Sequence, residues 1–227
     1  MTVGDPVHMI PVLAICDPEI TIGLPKSLTA ACGVDALTHC IEAYTVQLHQ
    51  PITDALALKG ISMIAENLEK AYENGEDREA RRNMMIASTI GGMAFISSNV
   101  GAVHAFAETV GAWFDTPHGV ANSLFLPYIM EFNIPACPER FADIADAMGI
   151  EREESMSDEQ YALKAVEYVK ALNRKLNIPT IKEIKGITEE RFEAIAERSA
   201  NNVLSNDNAR KITKEDYLEL LKKAYNE

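Results

Sequence analysis

The sequence predicts an all-α fold, a multi-helix bundle-like arrangement. Three observations carry that reading. From Leu24 onward apolar residues recur at three-and-four spacing in segment after segment. Named start and stop signals separate these segments. Only one short apolar run, close to the N-terminus, has the character of a strand. With 227 residues, 47% of them hydrophobic, the chain is long enough to bury a sizeable core.

Taken in order, the exception comes first. Val12 to Cys16 is a short apolar run bounded by Pro11 and Asp17-Pro18, which predicts a buried strand. No second strand follows, and a lone strand cannot satisfy its backbone hydrogen bonds. Residues 1–22 are therefore expected to be a remnant strand and linker whose sheet partners precede residue 1, with the helical domain running over 23–227. Pro25 suits the first turn of a helix over "SLTAACGVDALTHCIEAYTV". The next helix, "PITDALALKGISMIAENLEKAYENG", is expected to close on Gly75 in a left-handed cap. A third runs from Asp77 to about Ile96, with the Gly91-Gly92 pair allowing close helix packing. "GAVHAFAETVGAWF" follows, then a helix opened by Pro117 with Thr116 as its cap, then "PERFADIADAMG". Ser157, Thr188 and Thr213 cap three C-terminal helices, and Thr213 with Asp216 has near-capping-box form.

Composition excludes several functions. Lys and Arg total 21 against 34 Asp and Glu, and the net charge of −13 opposes binding to phosphate backbones or anionic membranes. No apolar run approaches the ~20 residues needed to cross a bilayer. Cys16, Cys32, Cys40 and Cys137 show no paired spacing and the N-terminus does not resemble a signal peptide, which fits a reducing cytoplasm. There is no G-x-G-x-x-G, no G-x-x-x-x-G-K, no H-E-x-x-H and no G-x-S-x-G.

Asp35 and His39 stand four apart in "GVDALTHC", and four helical steps of about 100° bring them within about 40° on one face. That is metal-ligand spacing, although an Asp-His hydrogen bond uses the same geometry. Small and apolar neighbours favour the ligand pair. His104 lies among Ala, Val, Phe and Gly, where a histidine is either a satisfied core residue or a ligand. His118 follows Pro117 in a first helical turn, whose positive end disfavours imidazolium and keeps the ring neutral, as a ligand must be. Together the four offer one carboxylate oxygen and three imidazole nitrogens, a set suited to Fe(II), Zn(II), Ni(II) or Mn(II) with positions left open. His8 and His49 have polar or loop neighbours and are expected to be structural or exposed.

"DPEITIGLPKSLTAACGVDALTHCIEAY" and "GAVHAFAETVGAWFDTPHGVANSLFLPYIMEFN" resemble the two signatures of the iron-containing (group III) alcohol dehydrogenases, in their C-terminal, metal-binding catalytic domain. The resemblance runs from about Pro11 to the C-terminus. It implies a helical domain of the dehydroquinate-synthase-like kind. Asp35, His39, His104 and His118 would hold one divalent metal, Fe(II) or, in some members, Zn(II). Hydride would pass between a small alcohol or aldehyde and NAD or NADP.

Two departures qualify it. Many members carry a histidine four residues after the third ligand, near the substrate and off the metal; here that position is Glu108, expected to face the metal cleft and able to relay a proton. The family's N-terminal nucleotide-binding domain is missing apart from what resembles its last strand, so the chain alone is expected to be inactive. The apolar surface of the strand around Val12 to Cys16 and of the cleft face is expected either to be buried by self-association, as in a homo-oligomer, or to make the chain aggregation-prone. A non-catalytic metal-binding or oligomerisation module is the main alternative, and a metal-assisted hydrolase or lyase a further one.

Overall fold

Some helix starts in this chain follow side-chain chemistry. Asp77 accepts hydrogen bonds from the N–H groups of Glu79 and Ala80, Ser157 forms a capping box with Gln160, and Thr213 forms one with Asp216. The computed structural model describes residues 11–227, all-α as the sequence predicts, with nine α-helices and no strand among the described residues. They are α1 (Lys26–Thr45), α2 (Pro51–Glu73), α3 (Arg78–Ser98), α4 (Ala102–Phe114), α5 (His118–Asn133), α6 (Pro138–Ala147), α7 (Asp158–Lys175), α8 (Phe192–Ala200) and α9 (Lys214–Asn226). No single helix among the described residues is long and apolar enough to cross a membrane.

The central element is α1, which packs against α2, α3 and α5 and is buried along most of its length. Small residues let these helices approach. A Cβ on Gly60 of α2 would come within 2.5 Å of the Cys40 sulfur, and one on Gly91 of α3 within 3.2 Å of the same atom. Cys40 therefore sits in a socket made by two glycines, and burial pushes its thiol up to about 12. Gly92, by contrast, has nothing within 4 Å of a Cβ position, so the expected packing role belongs to Gly91 alone. α5 contains Pro127, which has no N–H to offer the carbonyl of Ser123. That carbonyl instead accepts the Nδ2–H of Asn173, 2.7 Å away on α7, so it stays satisfied while α5 runs on through Pro127.

Several local expectations are corrected. Val12 to Cys16 is not a strand: the segment is irregular, and Val12, Leu13 and Ile15 are exposed, because no described residue offers a ladder to pair with. Gly75 is not a left-handed cap. α2 ends at Glu73 with Asn74 in extended backbone at the cap, and the carbonyl of Gly75 accepts from Arg81 Nε at 2.9 Å. Thr188 precedes a short 3-10 turn rather than capping α8 directly and makes no side-chain cap bond. Thr116 does not cap α5 either; Pro117 occupies the cap position, and the buried Thr116 hydroxyl has no partner. His49 is exposed as expected, 3.2 Å from Asp54, while His8 lies outside the described residues.

Candidate metal centre

Three helices deliver the four sequence-predicted ligands to one place. α1 carries Asp35 and His39 on one face, α4 brings His104 and the first turn of α5 brings His118. Ligand atoms of Asp35, His39 and His104 all lie within 4.8 Å of one another. His39 Nε2 and His104 Nε2 are 3.0 Å apart, and His118 Nε2 is 3.6 Å from Asp35 Oδ1. His39 and His104 thus meet through Nε2, His39 holds Nδ1 3.8 Å from Asp35 Oδ2, and His118 turns Nε2 toward Asp35 from the edge, outside the three-residue group.

Each ring is held by a different device. His39 stacks on Phe95 of α3, centroids 4.4 Å apart. Burial, and then the nearness of His104, bring its pKa down to about 4 against the opposing pull of Asp35 and Glu42, so it is neutral and has a lone pair to give. His104 is buried, with Nδ1 2.5 Å from Oε2 of Glu42. Burial acts to lower its pKa, but the charge and hydrogen bond of Glu42 outweigh it and the net direction is upward. His118, at 49% side-chain exposure, is the open edge of the group.

The donor balance fits a cation. Asn122, one turn after His118 on α5, places Nδ2 2.5 Å from Asp35 Oδ1, 3.2 Å from His104 Nε2 and 3.1 Å from His118 Nε2. An amide has two protons for three neighbouring atoms, and the 3.0 Å approach of His39 Nε2 to His104 Nε2 is a hydrogen bond only if one ring carries its proton there. One carboxylate and three imidazoles gathered around one amide make a donor set of the kind that suits a divalent transition metal.

Glu108 lies on α4 one turn beyond His104, exposed, with Oε2 accepting from Asn202 Nδ2 at 2.7 Å. It lines a cavity of about 400 Å³ together with Thr116, His118, Arg198 and Asn202. The cavity therefore opens at His118. Neither Glu42 nor Asn122 was found by sequence reasoning. Glu42 did carry a signal: Asp35, His39 and Glu42 stand at i, i+4 and i+7, one helical face.

The chain matches known proteins over most of its length. A family model described as "Fe-containing alcohol dehydrogenase family, C-terminal" matches residues 29–225. Alcohol dehydrogenase 4 of Saccharomyces cerevisiae is 42% identical over 221 residues, 96% of this chain and 56% of that protein. The 1,3-propanediol dehydrogenase of Klebsiella pneumoniae is 40% identical over 216 residues, 95% of this chain and 56% of its own length. Among solved structures, a 1,3-propanediol oxidoreductase superposes with a TM-score of 0.89 at 40% identity, covering 92% of this chain and 54% of that one. An alcohol dehydrogenase from Oenococcus oeni gives 0.88 at 40% identity, with the same coverage of 92% and 54%. The chain spans about half the length of the relatives it matches.

Proposed function

Since this chain belongs to the iron-containing alcohol dehydrogenase family, we propose that it is the metal-binding part of an oxidoreductase that moves a hydride between a small alcohol or aldehyde and NAD or NADP. The observation that carries the proposal is the convergence of Asp35, His39 and His104, with His118 closing the group beside Asp35. A divalent metal, Fe(II) or Zn(II), held by these four residues would supply Lewis acidity toward a substrate oxygen.

The chain's own side chains then divide the work. Asp35 is the one charged ligand, and the low pKa of His39 keeps that ring neutral at physiological pH. Phe95 fixes the plane of His39. His118 faces the cavity shared with Glu108, Arg198 and Asn202, so a small substrate reaches the group from that side. Glu108, held by Asn202, is placed to accept a proton leaving that cavity or return one to it.

The test is alcohol-dependent reduction of NAD or NADP by a form of the protein that carries a nucleotide-binding half, compared with its Asp35→Ala variant. Turnover is expected in the first and a loss of several orders of magnitude in the second. Undiminished turnover without Asp35 would refute the proposal.

A further inference from the structure

Glu42 is an acid on α1 that is buried to 3% exposure and has no Lys or Arg partner among the described residues. Both of its oxygens are used. Oε1 accepts the N–H of Val103 at 2.8 Å, and Oε2 sits 2.5 Å from His104 Nδ1. Val103 is in the first turn of α4, where the helix itself leaves N–H groups without acceptors. One carboxylate thus ties down an imidazole and the start of the helix that carries it. The approach depends on Gly101, where a Cβ would stand 3.1 Å from Asn208 Oδ1 and 3.2 Å from Glu42 Oε1.

We propose that Glu42 is a positioning residue for the metal centre, holding His104 through Nδ1–H so that its Nε2 lone pair faces the cleft, and supplying a second negative charge to the site. The proposal rests on the reading of Asp35, His39, His104 and His118 as ligands. Its electrostatic half follows from charge: a buried carboxylate is costly without a cation. Asp35 and Glu42 together bring two negative charges, and a divalent ion brings two positive ones. The His104 ring transmits the pairing, because a carboxylate hydrogen-bonded at Nδ1 makes Nε2 a better donor to a metal. Glutamine cannot replace the acid here. It has one acceptor oxygen for two N–H donors, so either Val103 or His104 loses its partner.

The experiment uses the 227-residue chain. Zn(II) affinity is measured by competition with a chromophoric chelator for the wild type, Glu42→Gln and Glu42→Asp, with circular dichroism and urea unfolding on each. Imidazole nitrogen NMR of the Zn(II)-loaded wild type reports which nitrogen of His104 carries the proton. Glu42→Gln is expected to stay helical and to bind Zn(II) about 10–100-fold more weakly, and Glu42→Asp to recover part of that loss. His104 is expected to be protonated at Nδ1 and metal-bonded at Nε2. A folded Glu42→Gln with wild-type affinity would overturn the proposal while leaving the ligand set intact. Should that variant unfold, the spectrum decides: a His104 bonded to the metal through Nδ1 overturns the proposal. A wild-type chain that takes up no divalent ion overturns the ligand reading and the role of Glu42 with it.

Discussion

Asn122 donates across the α5–α1 contact to Asp35, Nδ2 to Oδ1 2.5 Å, while its own Oδ1 is buried without a partner. An amide half satisfied in this way is worth keeping only if its donor end is needed. In the metal-free chain it is the side-chain hydrogen-bond donor that the Asp35 carboxylate has among the described residues. Asn122→Leu, similar in shape and without the donor, should therefore lower the urea stability of the metal-free chain by about 1–3 kcal/mol. At saturating Zn(II) the loss should shrink, because a cation takes over the Asp35 oxygen. Equal losses with and without metal would separate Asn122 from the ligand group.

His104 and His118 both belong to the proposed ligand set, yet their surroundings predict different consequences of removing them. The His118 side chain is 49% exposed, so His118→Ala should lower metal content well below one per chain and barely move the urea midpoint. His104→Ala should do both. It strands the Glu42 carboxylate, buried to 4% side-chain exposure, and removing one partner of such a pair costs about 3–5 kcal/mol. Elemental analysis after metal loading, with urea unfolding, checks each. Full occupancy in either variant would count heavily against the site.

The parts of this molecule written in local chemistry were legible. Asp77, Ser157 and Thr213 announce helix starts because a cap needs only residues two or three positions away. Asp35 and His39 announce a shared face because helical periodicity alone brings them together. What long-range pairing decides was harder to read. Val12 to Cys16 has strand composition but no described partner, and Gly75 has the right residue for a left-handed cap while its backbone serves Arg81 instead. Glu42 shares a helical face with Asp35 and His39, but its role comes from His104, 62 positions along the chain. Glu108 was placed one turn after His104 from spacing, and it does line the cavity beside His118.

Gly119, next to His118, sets how closely α5 meets α1. A Cβ there would stand 2.3 Å from the carbonyl oxygen of Ala31 and 2.7 Å from its carbon, and backbone cannot swing aside as a side chain can. Gly119→Ala must therefore push the start of α5 from α1 and carry His118 away from Asp35. Stability should fall by about 1–3 kcal/mol or more, and Zn(II) affinity should fall with it. Gly92→Ala in α3 is the matched control. With nothing within 4 Å of its Cβ position, it should be neutral or stabilise by up to about 1 kcal/mol through helix propensity. A Gly119→Ala chain with unchanged stability and affinity would mean that the two helices have more freedom than their contact shows.

Activity of the 227 residues alone is the remaining prediction. Hydride transfer requires the nicotinamide carbon to be held close to the substrate carbon, and positioning of that kind supplies much of the rate. A dinucleotide is usually anchored by its pyrophosphate at a glycine-rich turn leading into a helix N-terminus. These residues contain no G-x-G-x-x-G, and they correspond to about half the length of the relatives they match. The proposed ligand group, by contrast, draws on α1 and α4 for Asp35, His39 and His104 and on α5 for His118. The metal-loaded chain is therefore expected to bind one divalent ion and to show no alcohol-dependent reduction of NAD or NADP across short primary alcohols and diols. Joining a nucleotide-binding half should restore turnover. Robust turnover by the 227 residues alone, lost on His118→Ala, would mean that residues read here as structural hold the nicotinamide cofactor, and the cavity lined by Glu108, Arg198 and Asn202 would be the first place to look for them.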